Sequence, residues 1–176
     1  DEIEKAQSEL RRALPEKSVR WTRRGQFHLT LKFLGDVAME RLDPLVAALG
    51  AACREFTALR LRAERIGFFP HPRFPKVIWA WVHDELEQLP KLQQAIEAGV
   101  REFNREEAEG AFTGHVTLGR CHGIKRPQAE ILGRLAEAMT SRFFGHWSAG
   151  TVELIRSELL PGGSRYTSLA AIQLRA

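Results

Sequence analysis

The stretch Phe27 to Asp36, FHLTLKFLGD, decides the reading of this chain because its core returns: His28-Leu29-Thr30-Leu31 is matched by His115-Val116-Thr117-Leu118. In an extended strand, successive side chains point to opposite faces. Each copy, read as a β-strand, therefore sets a histidine and a threonine on one face and aliphatic residues on the other. In the first copy His28 and Thr30 oppose Leu29, Leu31 and Phe33, and in the second His115 and Thr117 oppose Val116 and Leu118. The apolar faces belong on a core, which leaves two imidazole and hydroxyl pairs to face something else. One His-x-Thr on a strand is ordinary, but two copies with the same following leucine require a joint explanation.

Acid and base chemistry supplies one. An imidazole titrates near pH 6.5, so of two histidines one can take a proton while the other gives one, with no metal ion and no cofactor. Phosphodiester cleavage needs both operations. The hydroxyls of Thr30 and Thr117 are suited to donate hydrogen bonds to the non-bridging phosphate oxygens as charge builds on them. Lys32, two residues past Thr30 on the same face, would add positive charge toward a phosphate.

Composition bounds the answer. A length of 176 residues, 44% hydrophobic and 27% charged, suits one globular domain or two small lobes sharing a core, and argues against disorder. Lys and Arg number 26 against 22 Asp and Glu, a net +4 that favours anionic partners without requiring nucleic acid. No run of about 18 apolar residues occurs, and the opening DEIEKAQSEL is too charged for a signal peptide. A cytoplasmic protein with no membrane partner is expected. Cys53 and Cys121 can form at most one disulfide and show no Cys-x-x-Cys spacing, in keeping with a reducing compartment.

Periodicity places helices over 1–14, 39–56, 86–107 and 127–141, and strands over 18–22, 57–68, 76–83, 111–123, 151–160 and 165–175. Phe69 to Pro75, FPHPRFP, reads as a stiff loop, and Pro161-Gly162-Gly163-Ser164 as a hairpin turn. Gly162-Gly163 lacks P-loop spacing, and His122 with Cys121 and His115 has no metal-binding framework around it. Trp79, Trp81 and Tyr166 are either base-stacking platforms or core residues. Arg23 and Arg24 are either a solvated turn or contacts to phosphate. His71, His83 and His146 read as loop or strand-end residues. The order of elements, with each histidine strand followed by a helix, indicates an α+β fold with an internal duplication.

Five stretches together resemble a known family: VRW at 19–21, HLTLKFLGD at 28–36, GFFPHPRFPKVIWA at 67–80, FTGHVTLGR at 112–120 and SELLPGGSRYTSL at 157–169. They are similar to the two-histidine (2H) phosphoesterases, and among these to the bacterial and archaeal RNA 2′,3′-cyclic phosphodiesterases once named 2′-5′ RNA ligases. The resemblance implies a bilobal, pseudo-twofold α+β fold with mainly antiparallel sheets, outer helices and a central cleft, formed by residues 1–176 as one domain. It implies hydrolysis of RNA ends bearing a 2′,3′-cyclic phosphate to 2′-phosphates without metal, with His28 as proton donor and His115 as proton acceptor. It also makes Arg120 a candidate to stack on the nucleobase, although strict alternation puts Arg120 on the face opposite His115. Alternatives on the same residues are 2′-5′ RNA ligation, another small cyclic or 2′-5′ phosphodiester as substrate, and a non-catalytic RNA-binding module. No protein partner is implied, and a monomer is expected. Two departures stand out: Gly114 replaces the usual proline before the second histidine, and the chain opens on a helix where members place a hydrophobic strand first.

Overall fold

Ile3, Ala6 and Leu10 recur at helical spacing and are buried along one side of α1 (Glu2–Arg12), with Glu2 and Glu4 at its positive end and Arg11 and Arg12 at its negative end. In the computed structural model, which describes residues 2–104, 110–160 and 163–176, the chain continues through ten further regular elements after that helix. These are β1 (Val19–Trp21), α2 (Leu42–Cys53), β2 (Leu59–Phe69), β3 (Val77–Asp84), α3 (Gln88–Gly99), β4 (His115–Cys121), α4 (Arg126–Ala138), β5 (Phe143–Ala149), β6 (Thr151–Leu160) and β7 (Gly163–Gln173). Two short 3₁₀ turns, Arg24–Gln26 and Met39–Arg41, interrupt the connections. The architecture is α+β: a five-stranded sheet in the order β1-β4-β3-β2-β5 and a two-stranded sheet of β6 and β7. The pairings β1 with β4, β2 with β3, β3 with β4 and β6 with β7 are all antiparallel.

The chain divides into two compact units. The first takes in Asp1–Thr30, Leu61–Glu85 and Thr113–Trp147 and holds most of the five-stranded sheet. Its core is one sheet face, Ile78, Ala80, Val82, Val116 and Leu118, together with Ala6 and Leu10 of α1 and Ala129, Leu132 and Ala136 of α4. Full burial of each valine, leucine or isoleucine among these contributes about 1.5–3 kcal/mol. Polar contacts tie α1 into this unit: Gln7 donates to the carbonyls of Thr22 and Leu118, and Glu9 accepts two hydrogen bonds from Arg142 at 2.8 Å. The second unit takes in Leu31–Arg60, Leu86–Phe112 and Ser148–Ala176, and its core includes Leu45, Leu49 and Cys53 of α2 with Leu89, Leu92 and Ile96 of α3.

Several expectations need correction. The segment around His28 is not a regular strand: it touches the sheet through a single antiparallel bridge, Leu29 to Val116. Beyond Thr30 the alternation no longer applies, and Phe33, expected on the apolar side, is 75% exposed. The strand expected to stop at Phe68 runs on to Phe69, which takes that ring out of the proline-rich loop. β5 was not expected, because Gly145, His146 and Ser148 hide any alternation and Phe144 is its one buried residue. The helix expected to reach residue 107 stops at Gly99, and residues 105–107 lie outside the described ones, as do Pro161 and Gly162 of the expected hairpin turn.

Glycine at position 119 is what lets β1 lie against β4. A Cβ there would stand 2.6 Å from Cγ1 of Val19 and 3.0 Å from Cε3 of Trp21. Both neighbours sit on the paired strand, and Val19 is stiff at χ1, so neither yields easily. Gly119→Ala should destabilise the protein by about 1–3 kcal/mol through overpacking. Urea denaturation of the variant beside the parent checks this, and an unchanged midpoint would contradict it.

Candidate active site

Strand β4 has two edges, and both are used. One pairs with β3, with Trp81 opposite His115 and Trp79 opposite Thr117. The other pairs with β1 at residues 119–121, a ladder that the bond from the Thr22 amide to the Leu118 carbonyl extends. The chain then leaves the edge through the 3₁₀ turn Arg24–Gln26 and returns to bridge Leu29 with Val116. An antiparallel bridge at that pair sets His28 across from Thr117 and Thr30 across from His115. Residues paired across strands share a face. Val116 is buried, so Leu29 shares the core side, and both histidines and both threonines fall on the opposite side. The two motifs thus meet within the first unit, each histidine beside the other motif's threonine.

The rings are held alike. Nδ1 of His28 lies 2.7 Å from the carbonyl of Gln26, and Nδ1 of His115 lies 2.8 Å from the carbonyl of Thr113. A carbonyl only accepts, so in both rings Nδ1 carries the hydrogen and proton exchange with a ligand belongs to Nε2. The surroundings differ. His28 is exposed, whereas His115 is half-buried. Phe69 stands edge-on to the His115 ring at 5.1 Å between centroids, and Trp79 packs beside both, 4.8 Å from Phe69 and 5.9 Å from His115. Gly67 makes room for that indole: a Cβ at this position would lie 2.2 Å from the Trp79 ring. Burial pushes the His115 pKa below the ordinary histidine value, an effect that His28 and Arg120 reinforce and the Thr113 carbonyl opposes. At neutral pH this ring is a base.

Arg120 resolves a conflict in the sequence reading. The register between β3 and β4 shifts between Ile78 and Trp79: Ile78 pairs with Gly119, and Trp79 with Thr117, so Leu118 is the extra residue of a β-bulge. The bulge buries Leu118 and Gly119 together and reverses the alternation beyond them. Arg120 then pairs with Val77, in the row of Val77, Trp79 and Trp81, and stands on the same face as His115 and Thr117. Lys32 belongs to the second unit. Its Nζ lies 2.5 Å from Glu97 Oε1 with the side chain 7% exposed, an ion pair inside the second unit that answers its charge.

The remaining singled-out residues divide clearly. Trp81 has the guanidinium of Arg65 4.0 Å from its ring centre and His83 stacked on it at 4.0 Å, so it is a packed residue. Tyr166 is on β7 in the second unit. Arg24 lies 3.6 Å from Glu4. His71 stacks on Phe74, and His146 on Phe143. Cys53 and Cys121 are free thiols, and burial pushes Cys121 up to about 11. Among the described residues no three His, Cys, Asp or Glu side chains are grouped as metal ligands. Among the same residues no helix is long and apolar enough to cross a membrane. Sequence reasoning passed over Phe69 and Gly67. Phe69 was masked by the prolines that follow it, and Gly67 inside a strand pattern was a sign of close ring approach.

Paired imidazoles and hydroxyls on one strand face are the constellation of a two-histidine phosphoesterase. The family model described as "LigT like Phosphoesterase" matches residues 1–79. The RNA 2′,3′-cyclic phosphodiesterase of Thermus thermophilus is 34% identical over 157 residues, spanning 85% of this chain and 73% of that protein. The protein of the same name from Methanothermobacter thermautotrophicus is 28% identical over 177 residues, spanning 99% of this chain and 91% of its own. In structure, the chain is similar to TT0787 of T. thermophilus, with a TM-score of 0.73 at 29% identity, covering 98% of this chain and 93% of that one. E. coli LigT in its apo form shares the fold, with a TM-score of 0.71 at 21% identity, covering 99% and 92%. The chain belongs to the LigT-like phosphoesterase family.

The aromatic packing on His115 has a measurable effect. Phe69→Leu loosens it and should raise the His115 titration midpoint toward the ordinary value near 6.5, read from ring-proton shifts against pH; an unmoved midpoint would show that the packing does not set it. The sign for stability follows: because the folded pKa is the lower one, the unfolded chain takes up the proton first. Stability is therefore full above the ordinary histidine range and falls as pH drops through that range toward the lowered value.

Proposed function

We propose that this chain hydrolyses 2′,3′-cyclic phosphates at RNA ends to 2′-phosphates without a metal ion. One observation carries the proposal: the antiparallel meeting of two His-x-Thr motifs, each with its histidine tautomer set by a main-chain carbonyl. The relatives named RNA 2′,3′-cyclic phosphodiesterase support RNA as the substrate. Water attacks phosphorus and gives its proton to Nε2 of His115, the ring that burial keeps neutral. The bond from phosphorus to O3′ breaks, and the departing oxygen takes a proton from Nε2 of His28, leaving a 3′-hydroxyl and a 2′-phosphate. Proton exchange with solvent then restores both rings. The hydroxyls of Thr30 and Thr117 donate to the non-bridging oxygens, where charge grows in the transition state. In this reading the protein acts as a cytoplasmic monomer, and residues 1–176 work as one domain.

Exposure and burial support this division of roles. The base must be neutral when water arrives, and His115 has the lowered proton affinity; the acid must meet a leaving group at the surface, and His28 is exposed. Hydrolysis of a 2′,3′-cyclic-phosphate oligonucleotide should proceed in excess chelator, and loss of the rate on chelation would refute the mechanism. His28→Ala and His115→Ala should each lower kcat by roughly 10² to 10⁴, and a near-parental rate in either would remove that residue from the reaction. The rate should follow a bell-shaped pH profile whose acidic limb lies below the ordinary histidine pKa, because His115 loses its proton there.

A further inference from the structure

Helix α1 belongs to neither motif, yet one of its side chains reaches both. Nε2 of Gln7 donates to the carbonyl of Thr22 at 2.8 Å and to the carbonyl of Leu118 at 2.9 Å. Leu118 follows Thr117 in the second motif, and Thr22 opens the connection that runs from the end of β1 to His28. A side-chain amide has two hydrogens, so both are used here and together they set the spacing of the two carbonyls. The Thr22 amide donates to the same Leu118 carbonyl at 2.9 Å. Past that point the chain leaves the edge of β4 through the Arg24–Gln26 turn and comes back only at the Leu29 bridge. No ladder covers this excursion, so the residue that returns opposite Val116 depends on where the excursion starts. α1 touches it twice: Glu4, which neighbours Gln7 on one face of the helix, lies 3.6 Å from Arg24. The helix itself is anchored by Ala6 and Leu10 in the core and by the bonds from Arg142 to Glu9. All of these groups belong to the first unit.

We infer that Gln7 is a positioning residue for the paired motifs: its amide fixes the start of the connection to His28 against Leu118, and thereby the place of His28 and Thr30 beside Thr117 and His115. This rests on the proposed function for what the four residues do once placed. Gln7 acts through the main chain at Thr22 and Leu118 and not on the phosphate. A methionine at this position would cover the same space but leave the two carbonyls free to separate. Such slack matters in a site of this kind, since a misplacement of about 1 Å is enough to cost about 10²-fold in rate.

The test is a titration of the parent and of Gln7→Met with inorganic phosphate, followed through the ring-proton shifts of His28 and His115 at a temperature well below both thermal midpoints. Methionine keeps the length of the side chain and removes both donors. In the parent the two rings should report one phosphate affinity. In Gln7→Met that affinity should fall about tenfold, the loss expected when one charge-assisted hydrogen bond is no longer aligned, and the response should shrink more at His28 than at His115. Gln7→Asn, whose amide is too short to span both carbonyls, should behave alike and takes the place of Gln7→Met if that variant does not fold. A residue that only stabilised α1 would lower the thermal midpoint and leave phosphate binding by the folded protein as it was. Parental affinity in the variants, an equal loss of response at both rings, or two rings of the parent reporting different affinities would each overturn the inference. Phosphate binding is read without turnover, so a protein whose rings respond as expected but which leaves cyclic ends intact would refute the proposed reaction and leave the role of Gln7 standing.

Discussion

A single cross-strand pair, Leu29 against Val116, is the constraint on which the site depends. Val116 is buried and Leu29, half-buried, falls on the same side of the sheet, so the contact leans on the core that holds the first unit together. Two residues that do no chemistry thereby bring together four that can. A shift of one residue at this bridge would turn His28 and Thr30 toward the core and Leu29 toward solvent, because alternation leaves no intermediate setting. The register is protected by the cost of exposing Leu29 and burying an imidazole, and no direct bond between the two histidines is needed.

Chemically matched motifs become unequal through their neighbours. Both rings make the same bond to a carbonyl two residues back, yet only His115 is packed by Phe69 and Trp79. The inequality originates outside the motifs, in a glycine at 67 that admits an indole and in a strand that runs one residue further than its prolines suggest. Burial is the largest cause of the lowered His115 pKa, ahead of the charges of His28 and Arg120.

Much of this was legible in the amino-acid order. The repeated His-x-Thr-Leu marked the two segments that the Leu29 bridge brings together, and alternation assigned their faces because His115 and Thr117 stand on a true strand and the bridge continues the pattern for one step. The same rule failed where its premise failed. It put Phe33 on the apolar side, but past Thr30 no strand exists to alternate and Phe33 is exposed. It put Arg120 on the wrong face because a bulge inserts a residue at Leu118, although Gly119 within the pattern was a sign of such an irregularity. The strand over 18–22 was expected, but the residue opposite Arg20 was not. What Arg20 faces is set by pairing with a residue 100 positions later, and no local pattern encodes that.

The carbonyls that hold the two imidazoles belong to the main chain of Gln26 and Thr113. No substitution at either position deletes the acceptor, so the tautomer of each ring is a property of backbone path and not of side-chain identity. The part of the site that fixes where a proton resides is thus resistant to mutation, and the part that fixes how readily it leaves, the packing around one ring, is open to it. Variation in this chain is free to retune proton affinity while the orientation of the rings stays the same.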